Sequence, residues 1–196
     1  MKKIIIAVCL WFFISLLVGA SGLLASIPPP FPQIILFSLV LVLLIIFWKS
    51  ESFREVCFDL DIRVLLLIHL TRFVGIYFLI LYSRGELPYA FAVHGGLGDI
   101  AVAFTALLVS IFPPRAGGLG FFIYFAWNIL GLIDILYVVK TAARSAIADP
   151  QSMMALTELP LSLLPTFLVP IIIFSHILIF FRLNYSYRNR DPLMTF

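Results

Sequence analysis

The stretch of sequence that decides the fold runs from Ile62 to Asp99 and reads IRVLLLIHLTRFVGIYFLILYSRGELPYAFAVHGGLGD. It is mostly apolar, yet it carries His69 and Arg72 in its first half and ends in an aspartate. A charged residue at the centre of a membrane helix costs roughly 2.5 to 3.5 kcal/mol on insertion scales, so it is rarely kept without a partner or a function. The stretch therefore predicts a membrane span with a polar site near its middle.

The composition of the whole chain is that of a membrane protein. Of its 196 residues, 63% are hydrophobic and 12% are charged, with a mean hydropathy of +1.14. Soluble proteins have about 45 to 50% apolar and about 25% charged residues. Apart from Arg72, the basic residues lie in the links and form no basic face interleaved with aromatic residues, so we expect a lipid bilayer as the partner and no nucleic acid.

Six apolar runs predict an all-α, polytopic membrane helix bundle that forms a single domain over residues 1–196. Each span needs about 20 apolar residues, and the chain has room for six. The predicted spans cover approximately 4–25, 32–48, 62–83, 97–112, 119–140 and 160–181. The first run has an alternative interpretation as a cleaved secretory signal over residues 1–20, but it continues far enough to span, which favours a retained anchor.

The distribution of Lys and Arg predicts the orientation of the bundle. With the N-terminus in the cytoplasm, nine basic residues lie inside and three outside. Cytoplasmic links carry such an excess, so both termini are predicted to be cytoplasmic. The inner residues are Lys2, Lys3, Lys49, Arg54, Arg63, Arg115, Arg182, Arg188 and Arg190, and the outer ones are Arg84, Lys140 and Arg144.

Charged residues on three spans are predicted to meet. Arg72 lies near the centre of span three, and Asp134 of span five lies about 7 Å further out at roughly 1.5 Å per residue. Asp99 lies at the predicted outer end of span four. An unpaired buried charge costs several kcal/mol, so we expect Asp134 or Asp99 to neutralise Arg72. Two interpretations remain open: a structural ion pair that locks three helices, and a pathway for a proton or a solute.

Helical spacing predicts which faces of these spans point into the bundle. On each span the residues of the inward-facing side form a stripe along the helix. In span five, Asn128 lies off this stripe and is expected to hydrogen-bond elsewhere. The stripe of span three contains Ile62, Leu65, His69, Arg72, Ile76 and Ser83, and that of span five contains Trp127, Gly131, Asp134 and Val138.

The link before span four is the best candidate for a binding pocket. Its glycines, Gly95, Gly96 and Gly98, are expected to end a short helix in the link, and Asp99 is expected to cap the helix that follows. If the link dips into the protein, it brings His94 and Asp99 beside Arg72. The alternative is an ordinary helix at the membrane interface.

His69 and His176 are predicted to lie at one depth on different spans. Two such histidines can ligate a b-type haem or hold a metal, or they can simply hydrogen-bond within the bundle. No hydrolase or NTPase motif is present, and the GxGxxA match at residues 96–101 lacks the strand that a dinucleotide site requires. An enzyme is therefore not expected. Cys9 and Cys57 form no CxxC pair, so neither a disulfide nor a thiolate metal site is expected.

Part of the chain resembles a known group of sequences. The residues that carry the resemblance are Arg72, Gly75, Phe78, Gly85, Leu87, Pro88, Phe91, Ala92, Gly96, Leu97, Gly98, Asp99, Pro165, Pro170 and His176. They are similar to those of a group of uncharacterised small bacterial inner-membrane proteins. The resemblance implies an all-helical fold in the bacterial inner membrane and carries no activity.

The sequence favours a non-enzymatic membrane protein without a cofactor that binds or passes a small solute or a proton. The site would consist of Arg72, Asp99, Asp134, His94 and Asn128. Because one six-helix bundle leaves little room for a pathway, a homo-oligomer is a further expectation. The alternatives are a haem- or quinone-associated electron-transfer subunit that uses His69 and His176, and a structural or assembly protein without a ligand.

Overall fold

The computed structural model describes residues 2–112, 114 and 116–189, and these residues form helices and links without any strand. The predicted all-α bundle is therefore confirmed, whereas Arg115 and Arg190 of the charge count lie outside the described residues. The described part contains the α-helices α1 (Lys2–Ala20), α2 (Phe31–Lys49), α3 (Glu51–Asp59), α4 (Ile62–Leu67), α5 (Val74–Ser83), α6 (Tyr89–Val109), α7 (Leu119–Ala148) and α8 (Val169–Asn189). It also contains the 3-10 segments Leu23–Ser26, Ile68–Phe73 and Pro150–Thr157, and a π-helical turn at Leu164–Leu168.

Six helical stretches in the described ranges are long and apolar enough to cross a membrane. Large apolar side chains such as Ile6, Leu130 and Ile133 point away from the bundle and are more than half exposed. Such an extended apolar surface suits contact with lipid and indicates a multi-pass membrane protein. The six stretches are Lys2–Ala20, Phe31–Lys49, Ile62–Ser83, Tyr89–Val109, Leu119–Ala148 and Leu164–Arg188.

The third span is not a regular α-helix, and this changes the face that it buries. Its central segment is a 3-10 helix, which has three residues per turn instead of 3.6. Ile76 and Ser83, which were predicted to share the face of Arg72, are therefore exposed. From the 3-10 segment onward the buried positions repeat every three residues, at His69, Arg72, Gly75, Phe78 and Leu81.

The fourth span begins at Tyr89 and passes unbroken through its three glycines. The predicted break before Asp99 is wrong, and so is the predicted cap, because Asp99 lies in the middle of α6. Close packing explains the glycines better than a break does. A Cβ atom on Gly75 of α5 would lie 2.3 Å from the carbonyl oxygen of Gly96, so the two helices touch through their backbones.

The first helix is anchored to the bundle through the backbone carbonyl group of Thr166. Pro170 has no N–H and cannot donate to the carbonyl of Thr166, four residues earlier. Instead, Trp11 Nε1 donates to that oxygen at 2.9 Å and Ser15 Oγ donates to it at 3.2 Å. A proline in α8 thereby creates an attachment point for α1.

The core consists of two apolar clusters with a polar layer between them. Along α7, the cluster nearer the chain termini contains Phe121, Tyr124 and Trp127, and the other begins at Ile135. Polar and small residues lie between them, from Asn128 to Asp134. In the span that contains Arg72, the polar residues likewise lie between residues of the two apolar clusters. The polar groups of several helices therefore meet at one level.

Candidate functional site

Arg72 is the centre of the polar layer and is 1% exposed. Its Nε donates to Asp99 Oδ1 on α6 at 2.7 Å. Its Nη1 donates to the carbonyl oxygen of Gly131 on α7 at 3.1 Å, and its Nη2 donates to Asp134 Oδ2 on the same helix. The guanidinium group thus joins three spans. The predicted pairing offered two alternative carboxylates, and the structure places both on the arginine.

Small residues make room for this cluster. A Cβ atom on Gly98 would lie 2.0 Å from Asp134 Oδ1, so only glycine lets the carboxylate pass α6. A Cβ atom on Gly131 would lie 2.7 Å from Cε1 of His176. Gly98, which was predicted to break the helix, and Gly131, which was predicted to permit close approach, therefore act as spacers for polar side chains.

The cluster of Arg72, Asp99 and Asp134 carries more negative than positive charge. One guanidinium group faces two carboxylates, so the formal sum with both ionised is +1 − 2 = −1. The side chain of Asp99 is 3% exposed, whereas that of Asp134 is 21% exposed. A buried uncompensated charge is strongly unfavourable, so the cluster has a place for a proton or another cation.

His69 and His176 lie in contact at the same level, with ring centres 4.3 Å apart and no solvent exposure. Asn128 Nδ2 donates to the backbone carbonyl of His176, which leaves Asn128 Oδ1 to accept from His176 Nδ1 at 2.8 Å. His176 Nε2 is then the nitrogen with a free lone pair, and it has no hydrogen-bond partner among the residues that the structure describes.

The tautomer of His69 follows from the same reasoning. Ser175 Oγ donates to the carbonyl of Ile172 at 2.8 Å, so it accepts from His69 Nε2 at 3.0 Å. His69 Nδ1 then keeps its lone pair and is buried without a hydrogen-bond partner in the described part of the chain. Two neighbouring imidazoles therefore each present an unused proton-accepting nitrogen beside the Arg72 cluster.

The spacing of these histidines does not fit the two axial ligands of one haem. An iron atom between two ring nitrogens lies about 2 Å from each, which sets the ring centres roughly 6 Å apart. The observed 4.3 Å leaves no room for a porphyrin plane between the rings. In the described part of the chain, no group of three or more His, Cys, Asp or Glu side chains is placed to hold a metal ion.

A cavity of about 360 Å³ adjoins the charged cluster. Arg72 and Asp99 form one end of it, and the links Leu23–Ser26 and Pro150–Thr157 border the other end. Apolar side chains make up most of the wall. Gln33 also lines the cavity, and its Oε1 is buried without a hydrogen-bond partner within the described ranges. The arrangement is that of a small-molecule pocket, which is typically apolar with a few fixed polar groups.

The structure brings together four of the five predicted site residues. Arg72, Asp99 and Asp134 form the charged cluster, and Asn128 lies beside it on His176, so Asn128 faces the bundle although the stripe excluded it. His94 is exposed on α6 and contacts Tyr89, so it does not join the cluster. The sequence reasoning missed Ser175 and Gln33, which are ordinary polar residues without a motif.

The family to which the chain belongs is shown by a family model. The model described as Domain of unknown function (DUF8737) matches residues 29–184. The chain belongs to this family. The match spans α2 to most of α8 and includes the charged cluster and most of the residues that line the cavity of this DUF8737 protein. No significant match relates the chain to a curated protein or to a solved structure. The resemblance to uncharacterised proteins is confirmed at this level, and the bacterial inner membrane stays a prediction.

Proposed function

We propose that this DUF8737 protein is a non-enzymatic, multi-pass protein of the bacterial inner membrane that binds a small solute and takes up a proton. The observation that carries the proposal is Arg72, fully buried at the end of a cavity with two carboxylates as partners. An ion pair that only holds the helices together needs one carboxylate for one arginine. The second carboxylate adds a charge that must be compensated, and a proton is the smallest cation that can do so.

The position of the cluster supports a pathway better than a lock. Arg72 lies about 15 Å from either end of its span, at roughly 1.5 Å per residue, where an ion is most costly. With the termini predicted to be cytoplasmic, the links that line the cavity, Leu23–Ser26 and Pro150–Thr157, lie on the outer side. The unused nitrogens of His69 and His176 lie next to the cluster and extend the polar layer away from the cavity. Ionisable groups at this depth are typical of proton-linked membrane proteins.

Infrared spectroscopy of the purified protein tests proton uptake directly. A protonated buried carboxyl group gives a C=O band that is separate from the carboxylate bands. We expect this band in the wild type at neutral pH and a clear loss of intensity in D99N or D134N. The matched control is E158Q, because Glu158 is an exposed carboxylate in a link. A wild-type protein without the band at any pH at which it stays folded would overturn the proposal.

A further inference from the structure

The two carboxylates on Arg72 face different surroundings. Asp99 lines the cavity, whereas Asp134 reaches the guanidinium group from α7 beside Gly98 and is partly exposed there. Arg72 needs one carboxylate for charge neutrality and keeps Asp134 if Asp99 turns to another cation. Asp99 is therefore the carboxylate that a ligand in the cavity can reach. Because Asp134 neutralises Arg72 while Asp99 is left for the ligand, the cavity favours a ligand of one charge.

We propose that the cavity binds a small organic cation, an ammonium group on an apolar body, which pairs with Asp99 and displaces its proton. The proposal rests on the proposed function and names the solute class of the same site. The exchange is balanced in charge, because one protonated amine enters as one proton leaves the Asp99 carboxyl group. Asp99 then exists as a carboxylate between the ammonium group and Arg72.

The wall of the cavity fits the apolar body of such a ligand. Leu36, Phe78, Phe91, Ile135 and Met153 line it and are each less than a tenth exposed. A volume of about 360 Å³ lies at the lower end of the range for small-molecule pockets, roughly 300 to 1,000 Å³. The site therefore suits a compact molecule with few polar groups.

The second polar group of the cavity selects the same ligand chemistry. Gln33 Oε1 is a buried acceptor without a donor among the described residues, and an unpaired buried acceptor is unfavourable. A ligand with an N–H or O–H donor can satisfy it, and an ammonium group, which carries only donors, can pair with Asp99. A carboxylate ligand has only acceptors and would meet Asp99 with like charge. Asp99 thus favours a cation, and Gln33 favours a ligand with a hydrogen-bond donor over an anion that has none.

The other charged and titratable groups around Asp99 belong to neighbouring elements. Arg72 faces it from the 3-10 segment, and Asp134 approaches the same guanidinium group from α7. His176 on α8 lies against Gly131, whose carbonyl accepts from Arg72, and His69 contacts His176. These groups form a hydrogen-bonded and charged network around the proton that the ligand displaces. The number of protons released must therefore be measured in the same titration as binding.

Three probes of nearly equal shape separate charge from apolar contact. They are 1-naphthylmethylammonium, 1-naphthalenemethanol and 1-naphthoate, titrated calorimetrically into the protein in lipid nanodiscs, with empty nanodiscs as the blank. We expect the ammonium probe to bind at least about tenfold more tightly than the alcohol, because a charge-assisted hydrogen bond contributes more than a neutral one. The naphthoate should bind most weakly. Equal binding of ammonium and alcohol to the wild type would overturn the inference without any variant.

Two isosteric variants test whether Asp99 in the cavity causes the preference for the ammonium probe. In D99N the ammonium probe should bind no more tightly than the alcohol, whereas E158Q, at an exposed link carboxylate, should retain the wild-type ratio. A D99N protein that retains the ratio contradicts the assignment. Proton release is recorded by repeating the titration in buffers of different ionisation enthalpy. Selective ammonium binding without proton release contradicts the exchange. Absence of the infrared carboxyl band from the wild type would instead count against proton uptake, so the two failures are distinguishable.

Discussion

Arg72 shows at the scale of a residue how a membrane protein can retain a buried charge. The side chain uses three of its nitrogen atoms on three partners, two carboxylates and one carbonyl oxygen, which come from α6 and α7. Bonds to a charged donor are among the strongest hydrogen bonds in proteins. The arginine therefore holds the helices together while the extra carboxylate keeps the site ready for a cation. Structural and functional interpretations of the cluster do not exclude each other.

Replacing Arg72 by leucine tests how its charge is shared. The change leaves two carboxylates without a cation, and breaking a buried ion pair costs roughly 3 to 5 kcal/mol. We expect R72L to lower the free energy of unfolding by about this amount, measured by denaturant titration in mixed micelles. Each double mutant, R72L/D99N and R72L/D134N, should recover part of the loss. Full recovery in one of them would show that the other carboxylate is not a partner.

Cys57 gives a prediction about pH at the same scale. It is buried on α3, outside the spanning segments. Burial raises the pKa of its thiol to about 11, although the positive charge of Arg182 acts to lower it. Only the thiolate reacts with iodoacetamide. At pH 8 its alkylation should therefore be about 100-fold slower than in the unfolded chain, because two pKa units separate the two states. The rate should keep rising up to pH 11.

The control for Cys57 is a cysteine at the neighbouring exposed position, E55C on the same helix. Measured by mass spectrometry in a C9A background, its alkylation rate should level off near pH 9, as for an ordinary thiol. A Cys57 rate that levels off at the same pH as E55C would contradict the burial argument.

At the scale of the element, periodicity predicted the buried face only as far as the helix stayed regular. Ile62, Leu65, His69 and Arg72 are buried as their spacing predicts. Beyond them the 3-10 segment turns the span, which exposes Ile76. A change from 3.6 to three residues per turn has no residue signature in an apolar run, so the sequence could not reveal it.

The close contact between α5 and α6 can be tested with a matched pair of alanine substitutions. In G75A the new Cβ atom would lie 2.3 Å from the backbone oxygen of Gly96, which cannot move without shifting α6. In G95A it would lie 3.3 Å from a methyl group of Val138, whose side chain can adjust. Overpacking typically costs about 1 to 3 kcal/mol. We expect thermal unfolding in detergent to show this loss for G75A and little change for G95A; equal effects would contradict direct backbone contact.

The attachment of α1 gives a second prediction for an element. Phenylalanine in place of Trp11 keeps an aromatic ring near Phe167 but removes the donor to Thr166. We expect W11F, and more strongly W11F/S15A, to increase proteolysis in the link after α1 while the rest of the bundle stays folded. P170A restores an N–H that can bond to Thr166 within α8, so it should weaken the same attachment. Unchanged proteolysis in all three would show that lipid contacts alone hold α1.

At the scale of the whole molecule, composition predicted the class of fold and could not predict its pairing. Six apolar runs suffice for an all-α bundle. The contacts that build the site join residues far apart in the chain, such as His69 with Ser175 and Arg72 with Asp134. Serine and asparagine occur in many apolar helices, so nothing in the sequence marks these partners. A charged residue in a span was the informative signal, because it required a partner.

The orientation of the bundle is the last prediction, and it decides from which side the cavity is reached. Glu158 follows a link that borders the cavity, and Glu55 lies on α3, between spans two and three. In a C9A/C57A background, a membrane-impermeant maleimide added to intact cells should label E158C and leave E55C unlabelled until the cells are lysed. The reason is the excess of basic residues in the links on the side of Glu55. The reverse pattern would place the cavity on the cytoplasmic side, where the same charged cluster would take its proton and its ligand from the cell interior.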